Sequence, residues 1–548
     1  MKLNKILTLA AGALLVASCS DIDEQYPQDN NITAEQLQEI TKVNPERINA
    51  TFSGMFTMML EPYAVYGESS GRADDFGYGS MALSQDAEGA DLVMMNNNYN
   101  WFSTCGAMTS RDASYANPYE RYKHPYTQIG VCNQVIASYP EDTQDKAAIY
   151  NMAQARAMRA FAYMQLAPYF AFDCASHPDD LCIPILRDGV DYANNPRATN
   201  KEVWEYIIED LNYAVEKLAG FERPNKMQID QNVAYGLRAR ANLAMGNWAE
   251  AAADAEKAIG KYEPASIEEV SHPSFCKIDE KNWMWGYIMT EKQVLGDAGY
   301  ASVASWISSF SWNGYAAATE NTPMINVLLY DKIPATDVRK GWWLNADKQS
   351  PLLDGLEWGT TGVKGQAIPG WEDPDGNKVP FPAYANVKFG MKSGIGSTTN
   401  NNDWPFMRVE EMYLIRAEGL AKSNREQEAR DLLNFFVQNY RDPSYRCDMS
   451  SRSLTDEIWF QRRVELWGEG FFTADMKRLG KPLVRFHGEE QESNVPDAFK
   501  FNMQANDGWL NMRFSKYEYE YNMAIVDNKG GSLPESGQEP ALRDGVTD

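Results

Sequence analysis

Cationic runs are missing from this 548-residue chain. Its formal charge is −25 at pH 7, and Lys and Arg gather into nothing longer than a pair. A nucleic-acid binder needs a cationic face to release phosphate counterions, so the composition argues against that role. Histidine is also scarce. The four His lie scattered at 124, 177, 272 and 487, and His177, between Cys174 and Cys182, lacks the further close ligands that zinc requires. No metal and no cofactor are expected. An H-E-x-x-H helix and a Walker-type phosphate loop are both absent, which removes two common enzyme classes. Seven cysteines are too few for a disulfide framework in a chain this long, although Cys174 and Cys182 flank a turn-rich loop and are a possible pair.

What is present begins with a processing signal. Lys2 and Lys5 precede an apolar stretch over 6–17, too short for a permanent membrane span. Val16, Ala17 and Ser18 then lead into Cys19. Residues 1–18 read as a secretory signal peptide. The Cys placed directly after small residues resembles the bacterial lipobox, which makes Cys19 the lipidated first residue of the mature protein. Attached lipid chains supply hydrophobic anchoring. The polar, acidic stretch 19–30 reads as a tether, and residues 31–527 as one domain.

Helical periodicity dominates that domain. Residues 31–60 predict a helix with Thr33 as N-cap, and 122–139 and 145–170 predict two more. Trp204, Ile207, Ile208, Leu211, Val215 and Leu218 mark the apolar stripe of another over 201–218. Between 232 and 264, Leu243, Gly246, Trp248, Ala251, Ala258 and Pro264 fall where a tetratricopeptide repeat places its small and aromatic positions. Ala417, Ala421, Ala429 and Pro443 mark a weaker copy in 405–480. Such repeats must stack to bury their faces. Two stretches break the pattern. Residues 67–101 carry Gly71, Gly77, Gly79 and Gly89 without a 3.6 period and read as a binding loop. Residues 266–402 hold more than half of the chain's 15 tryptophans among Gly, Pro and Ser, and read as a loop-rich insertion. After Lys529 the Gly-, Pro- and acid-rich end, 528–548, reads as a mobile tail.

Sugar rings offer flat C–H faces to aromatic side chains and hydroxyls to polar groups. Tyr78, Tyr99 and Trp101 in the first loop, with Trp283, Trp285, Trp306, Trp312 and Tyr315 in the insertion, fit that chemistry. No acid has a local setting that marks it as catalytic, so binding without chemistry is expected. A peptide or glycopeptide ligand is one alternative, and glycoside hydrolysis by two carboxylates another.

The C-terminal third carries a longer signature. Arg408, Glu411, Tyr413, Leu414, Ile415, Arg416, Ala417 and Glu418 resemble one signature of the SusD/RagB family. Arg462, Glu465, Leu466, Glu469, Gly470, Asp475, Lys477 and Arg478 resemble a second. Ala155 to Tyr163, and Phe514 to Glu518 with Asn522, are similar to two others. Gln461 stands where a Glu is usual, Phe472 where an Arg is usual, and Phe435, Phe436 and Val437 replace an Arg-rich turn. The resemblance implies a mainly α, tetratricopeptide-like scaffold with an aromatic-rich insertion. It further implies a lipid-anchored protein of the outer-membrane surface that binds a glycan and hands it to a SusC-like TonB-dependent transporter. The Arg and Glu of the signatures read as ion pairs that lock one helix to the next.

Overall fold

The computed structural model describes residues 34–96, 101–187, 189–294, 301–311, 322–354, 356, 371–372, 378–379, 381–395, 397, 399–489 and 491–548. Cys19, the tether, Thr33, Tyr99, Trp312 and Tyr315 lie outside the described residues. Among the described residues no helix is long and apolar enough to cross a membrane.

The fold is mainly α, with a tetratricopeptide-like arrangement of helices. Ala34–Val43 (α1) and Pro45–Thr57 (α2) divide the helix predicted over 31–60. Pro45 lacks an N–H to continue α1 and instead opens α2, where that donor is not needed. Tyr78–Ala87 (α3) and Trp101–Gly106 (α4) follow. The scaffold is built from Ala116–Ala137 (α5), Lys146–Phe170 (α6), Asn200–Lys217 (α7), Gln231–Met245 (α8) and Trp248–Ile259 (α9). It resumes with Val409–Lys422 (α10), Glu426–Tyr440 (α11), Leu454–Glu465 (α12) and Phe472–Arg478 (α13). Consecutive members from α5 to α11 pack each on the next, so α10 lies on α9 although almost 150 residues separate them.

Local chemistry sets these boundaries. Thr199 and Glu202 form a capping box that starts α7, and Asp230 accepts from Val233 N–H to start α8. Gly246 ends α8 at φ +79°, a left-handed turn that lets α9 fold back as the repeat pattern requires. Arg159 on α6 holds Asp210 on α7 through two bonds of 2.8 and 2.7 Å. Where α9 meets α10, a Cβ on Gly419 would lie 2.5 Å from Trp248 O and 2.9 Å from Ala252 N. An exposed helical Gly→Ala change gains up to ~1 kcal/mol, but overpacking costs about 1–3 kcal/mol. Here the crowding atoms are backbone and cannot swing away. Gly419→Ala is therefore expected to lower the melting temperature, and a thermal melt equal to the parent's would contradict this close approach.

The insertion leaves the scaffold after α9 and rejoins it through an antiparallel pair, Trp283–Tyr287 (β1) against Trp404–Arg408 (β2). Trp283 faces Arg408 and Tyr287 faces Trp404, and every residue of both strands is buried. Two expectations are corrected here. Residues 67–101 are not one loop, because α3 is a helix with all ten residues buried, and a helix enclosed on every side shows no amphipathic period. The segment 528–548 packs on the body: Arg463 holds Asp544 at 2.6 Å, and Val546 and Thr547 are buried. Helix Lys516–Tyr521 (α14) lies just before it. Cys174 and Cys182 are both buried free thiols.

Candidate functional site

Four of the aromatic residues expected to meet a sugar belong to the core instead. Tyr78, Trp283, Trp285 and Trp306 are 0–1% exposed. Tyr78 donates to Gln128, Trp285 Nε1 donates to Met227 O at 2.8 Å, and Trp306 Nε1 to Ala73 O at 3.1 Å. The three tryptophan rings are closed off and cannot offer a face to a ligand, while Tyr78, equally buried, lines an internal cavity between α3 and α6. Trp101 is different, since it is half-buried at the start of α4, edge-on to Trp306 with centroids 6.3 Å apart. Trp306 thus acts as the footing of Trp101.

The site grows from Trp101 by way of Arg72. The Arg72 guanidinium lies 5.9 Å from the Trp101 ring centroid and 5.2 Å from that of Tyr66. Its Nη2 is held by Asp74 at 2.7 Å and its Nε by Glu120 at 2.9 Å, both acids being buried. Nη1 has no protein partner among the described residues and is left as a donor. Arg121 holds the other oxygen of Glu120 at 2.9 Å, so the ion pairs fasten the loop to α5. Asp75 fixes the same loop by accepting from the N–H groups of Val65 (3.0 Å) and Tyr66 (2.9 Å). Burial pushes the Asp75 carboxyl up to about 6, with those two N–H groups resisting. Burial, and then Glu120, also raise Asp74 above the ordinary carboxylate range.

Further rings continue from Tyr66. Tyr119 is 5.5 Å away, and Tyr517 of α14 lies 4.8 Å beyond it, each pair tilted by more than 50°. Tyr517 is 42% exposed and Tyr521 74%, while Tyr115 beside α5 is 48% exposed. Tyr66, Tyr119 and Tyr517 were not singled out in the sequence. Tyr517 stood in the last SusD/RagB-like motif, but nothing local marks the other two. The loop also spells Gly67-Glu68-Ser69-Ser70-Gly71, the G-x-S-x-G spacing, although no such motif was expected in the chain. Here Ser69 sits on the exposed 3-10 turn Glu68–Ser70, not on the strand-to-helix elbow that an activated serine needs.

A tetratricopeptide-like solenoid with a long insertion folded back onto it defines a SusD-like fold. Solved relatives share it. A SusD-like carbohydrate binding protein from Bacteroides vulgatus superimposes with a TM-score of 0.68 at 23% identity, over 88% of this chain and 97% of that one. A laminarin-binding SusD-like protein gives a TM-score of 0.58 at 16% identity, over 88% and 99%. In sequence, residues 371–532 match the SusD family and residues 72–243 match a family described as starch-binding associating with outer membrane. A SusD-like protein of Bacteroides ovatus is 26% identical over 256 residues, which span 45% of this chain and 40% of that relative. The chain belongs to the SusD family.

Proposed function

We propose that the protein binds an oligo- or polysaccharide at the outer-membrane surface, without altering it, and delivers it to a SusC-like TonB-dependent transporter. Lipidation of Cys19 would tether it there, consistent with the outer-membrane association in the family's description. Glycan binding is supported by the starch-binding description of the family and by the laminarin-binding relative. The observation that carries the reading is the half-buried Trp101 ring beside the Arg72 guanidinium, with Tyr66, Tyr119 and Tyr517 extending away from it. Ring faces cover sugar C–H groups, and the guanidinium donates to hydroxyls. The carboxylates beneath, Asp74 and Glu120, are buried and ion-paired to Arg72, which suits anchoring rather than acid catalysis.

Calorimetric titration of the detergent-purified full chain against plant, host and microbial glycans tests this. At least one glycan is expected to bind, and Trp101→Ala is expected to weaken it tenfold or more, about 1.4 kcal/mol. Silence across the panel, or a hit indifferent to Trp101→Ala, would overturn the assignment. Released reducing ends would point to hydrolysis instead.

A further inference from the structure

Away from the exposed rings, a cavity of about 130 Å³ opens between α6, α8, α10 and α13. Phe161, Met164, Leu243 and Phe406 contribute apolar wall, while Gln165, Phe172 and Ala474 on its rim are partly exposed. A dry apolar cavity of about this size accommodates a benzene ring. This one, however, also carries polar groups that nothing in the protein satisfies. Arg462 and Gln85 both line it and are each 3% exposed. Arg462 spends Nε and Nη2 on Asp475, at 2.8 and 3.2 Å, but its Nη1 has no partner among the described residues. Gln85 Oε1 likewise lacks a donor among them. A buried polar atom left unpaired costs about 1–3 kcal/mol.

Four cations and four carboxylates line the wall, so its charge is balanced and its unspent donors and acceptors decide what it can hold. Lys477, also in the lining, donates to Pro168 O, Ala171 O and Asn511 Oδ1, all neutral. Burial, and then Arg111, bring its pKa down to about 7. The arginines of the lining are each matched by carboxylates, Arg240 by Glu411, Arg462 by Asp475, and Arg478 by Asp475 and Glu418, while Glu469 of the lining is held by Arg408 and Lys388. A carboxylate would complement the unspent Arg462 Nη1 through a charge-assisted bond, with Lys477 in the same lining matched by no carboxylate among the described residues. A hydroxyl would satisfy Gln85. The Phe471 ring, 5.3 Å from the Arg240 guanidinium and 5.8 Å from that of Arg462, adds an aromatic wall between them.

We propose that this cavity is a second binding site, for one small hydroxylated aromatic carboxylate. Its ring packs among the apolar walls, its carboxylate accepts from Arg462 Nη1, and its hydroxyl donates to Gln85 Oε1. The binding is non-covalent.

The probe is 4-hydroxybenzoate, titrated calorimetrically at pH 7 into the detergent-purified full chain, with benzoate and phenol in parallel. One saturable site is expected for 4-hydroxybenzoate, with benzoate and phenol each at least tenfold weaker. Ala244→Phe and Ala474→Phe, which place a ring in the space from its partly exposed rim, are expected to abolish binding without lowering the melting temperature. Gln85→Met keeps the volume, removes the acceptor and is expected to weaken the probe at least tenfold. Trp101→Ala leaves this titration unchanged, because that ring belongs to the exposed site. Absence of saturable binding, persistence of binding in both filled variants, or equal affinity for phenol would overturn the proposal.

Discussion

Glu465→Gln is expected to destabilise the protein by about 3–5 kcal/mol, the cost of breaking a buried ion pair from one side. Glu465 is fully buried and meets three guanidiniums. Its Oε1 accepts from Arg408 (3.1 Å) and Arg441 (2.9 Å), and its Oε2 from Arg441 (2.8 Å) and Arg339 (3.4 Å). Its backbone carbonyl takes Arg408 and Lys388. Asp337, Glu410 and Glu469 complete a set in which four cations face four acids, all buried. Burial alone would raise the Glu465 pKa, but Arg441, Arg408 and Arg339 outweigh it and hold the carboxyl far below its usual range. Glutamine keeps the shape and removes the charge, leaving one uncompensated cation in the core. Chemical denaturation measures the loss. As a control, Glu256→Gln at the exposed Arg416 pair should change stability by less than about 1 kcal/mol. If Glu465→Gln behaved like that control, these ion pairs would not be what locks the signature helices together.

These same residues were the most legible part of the chain. Arg408, Glu465 and Glu469 stood in the signatures, whose Arg and Glu were expected to pair from one helix to the next; Arg408 instead ends β2 and pairs with Glu465 at the end of α12 and Glu469 just beyond it. The helices α7, α9 and α11 were legible too, because each buries one face and leaves a readable period, and α6, buried nearly all round, was legible by its length and alanine content. Legibility failed where burial is complete. Helix α3 has no polar face, and β1 is covered on both sides, so Trp283 and Trp285 looked no different from surface tryptophans. Abundance of an aromatic residue says nothing about which side of it meets water. The rings that reach the surface in part were missed for another reason. Tyr66, Tyr119 and Tyr517 come from a loop, α5 and α14, and only the tertiary fold brings them together. The C-terminal segment misled for a related reason, since its Gly and Pro content hides the pairing of Asp544 with Arg463.

The departure at Phe472 has a measurable counterpart in Asp86. Where an Arg is usual in the SusD/RagB-like pattern, Phe472 packs a neutral ring against Trp459. Asp86 beside it accepts from the N–H groups of Gly470 (2.9 Å) and Phe472 (3.2 Å) and has no salt bridge among the described residues. Complete burial pushes its pKa up to about 7, with the two N–H groups resisting and Asp91 adding to the rise. Between about pH 4 and pH 7 the folded chain therefore holds a proton that the unfolded chain has released. Stability from this group is present at the acidic end and falls as pH rises, by about 4 kcal/mol across the window. Asp75, pushed up to about 6, acts with the same sign. Glu418, Glu465 and Glu469, held low mainly by Arg against their burial, lose their contribution only below about pH 4.5. Lys477 and Lys388, brought down to about 7 and 8, bind fewer protons folded than unfolded and add stability only as pH rises beyond those values. His124, brought down to about 4 by burial and then Arg121, opposes them by gaining stability up to about pH 6.5, but Asp86, Asp75 and Asp74 together outweigh one imidazole, and the melting temperature is expected to be higher at pH 5 than at pH 7. Asp86→Asn mimics the neutral carboxyl, so it should change little at pH 5, raise the melting temperature at pH 7, and flatten the slope between them. An unaltered slope in the variant would mean that Asp86 ionises in the folded chain as freely as in water, and that the missing cation is supplied from elsewhere.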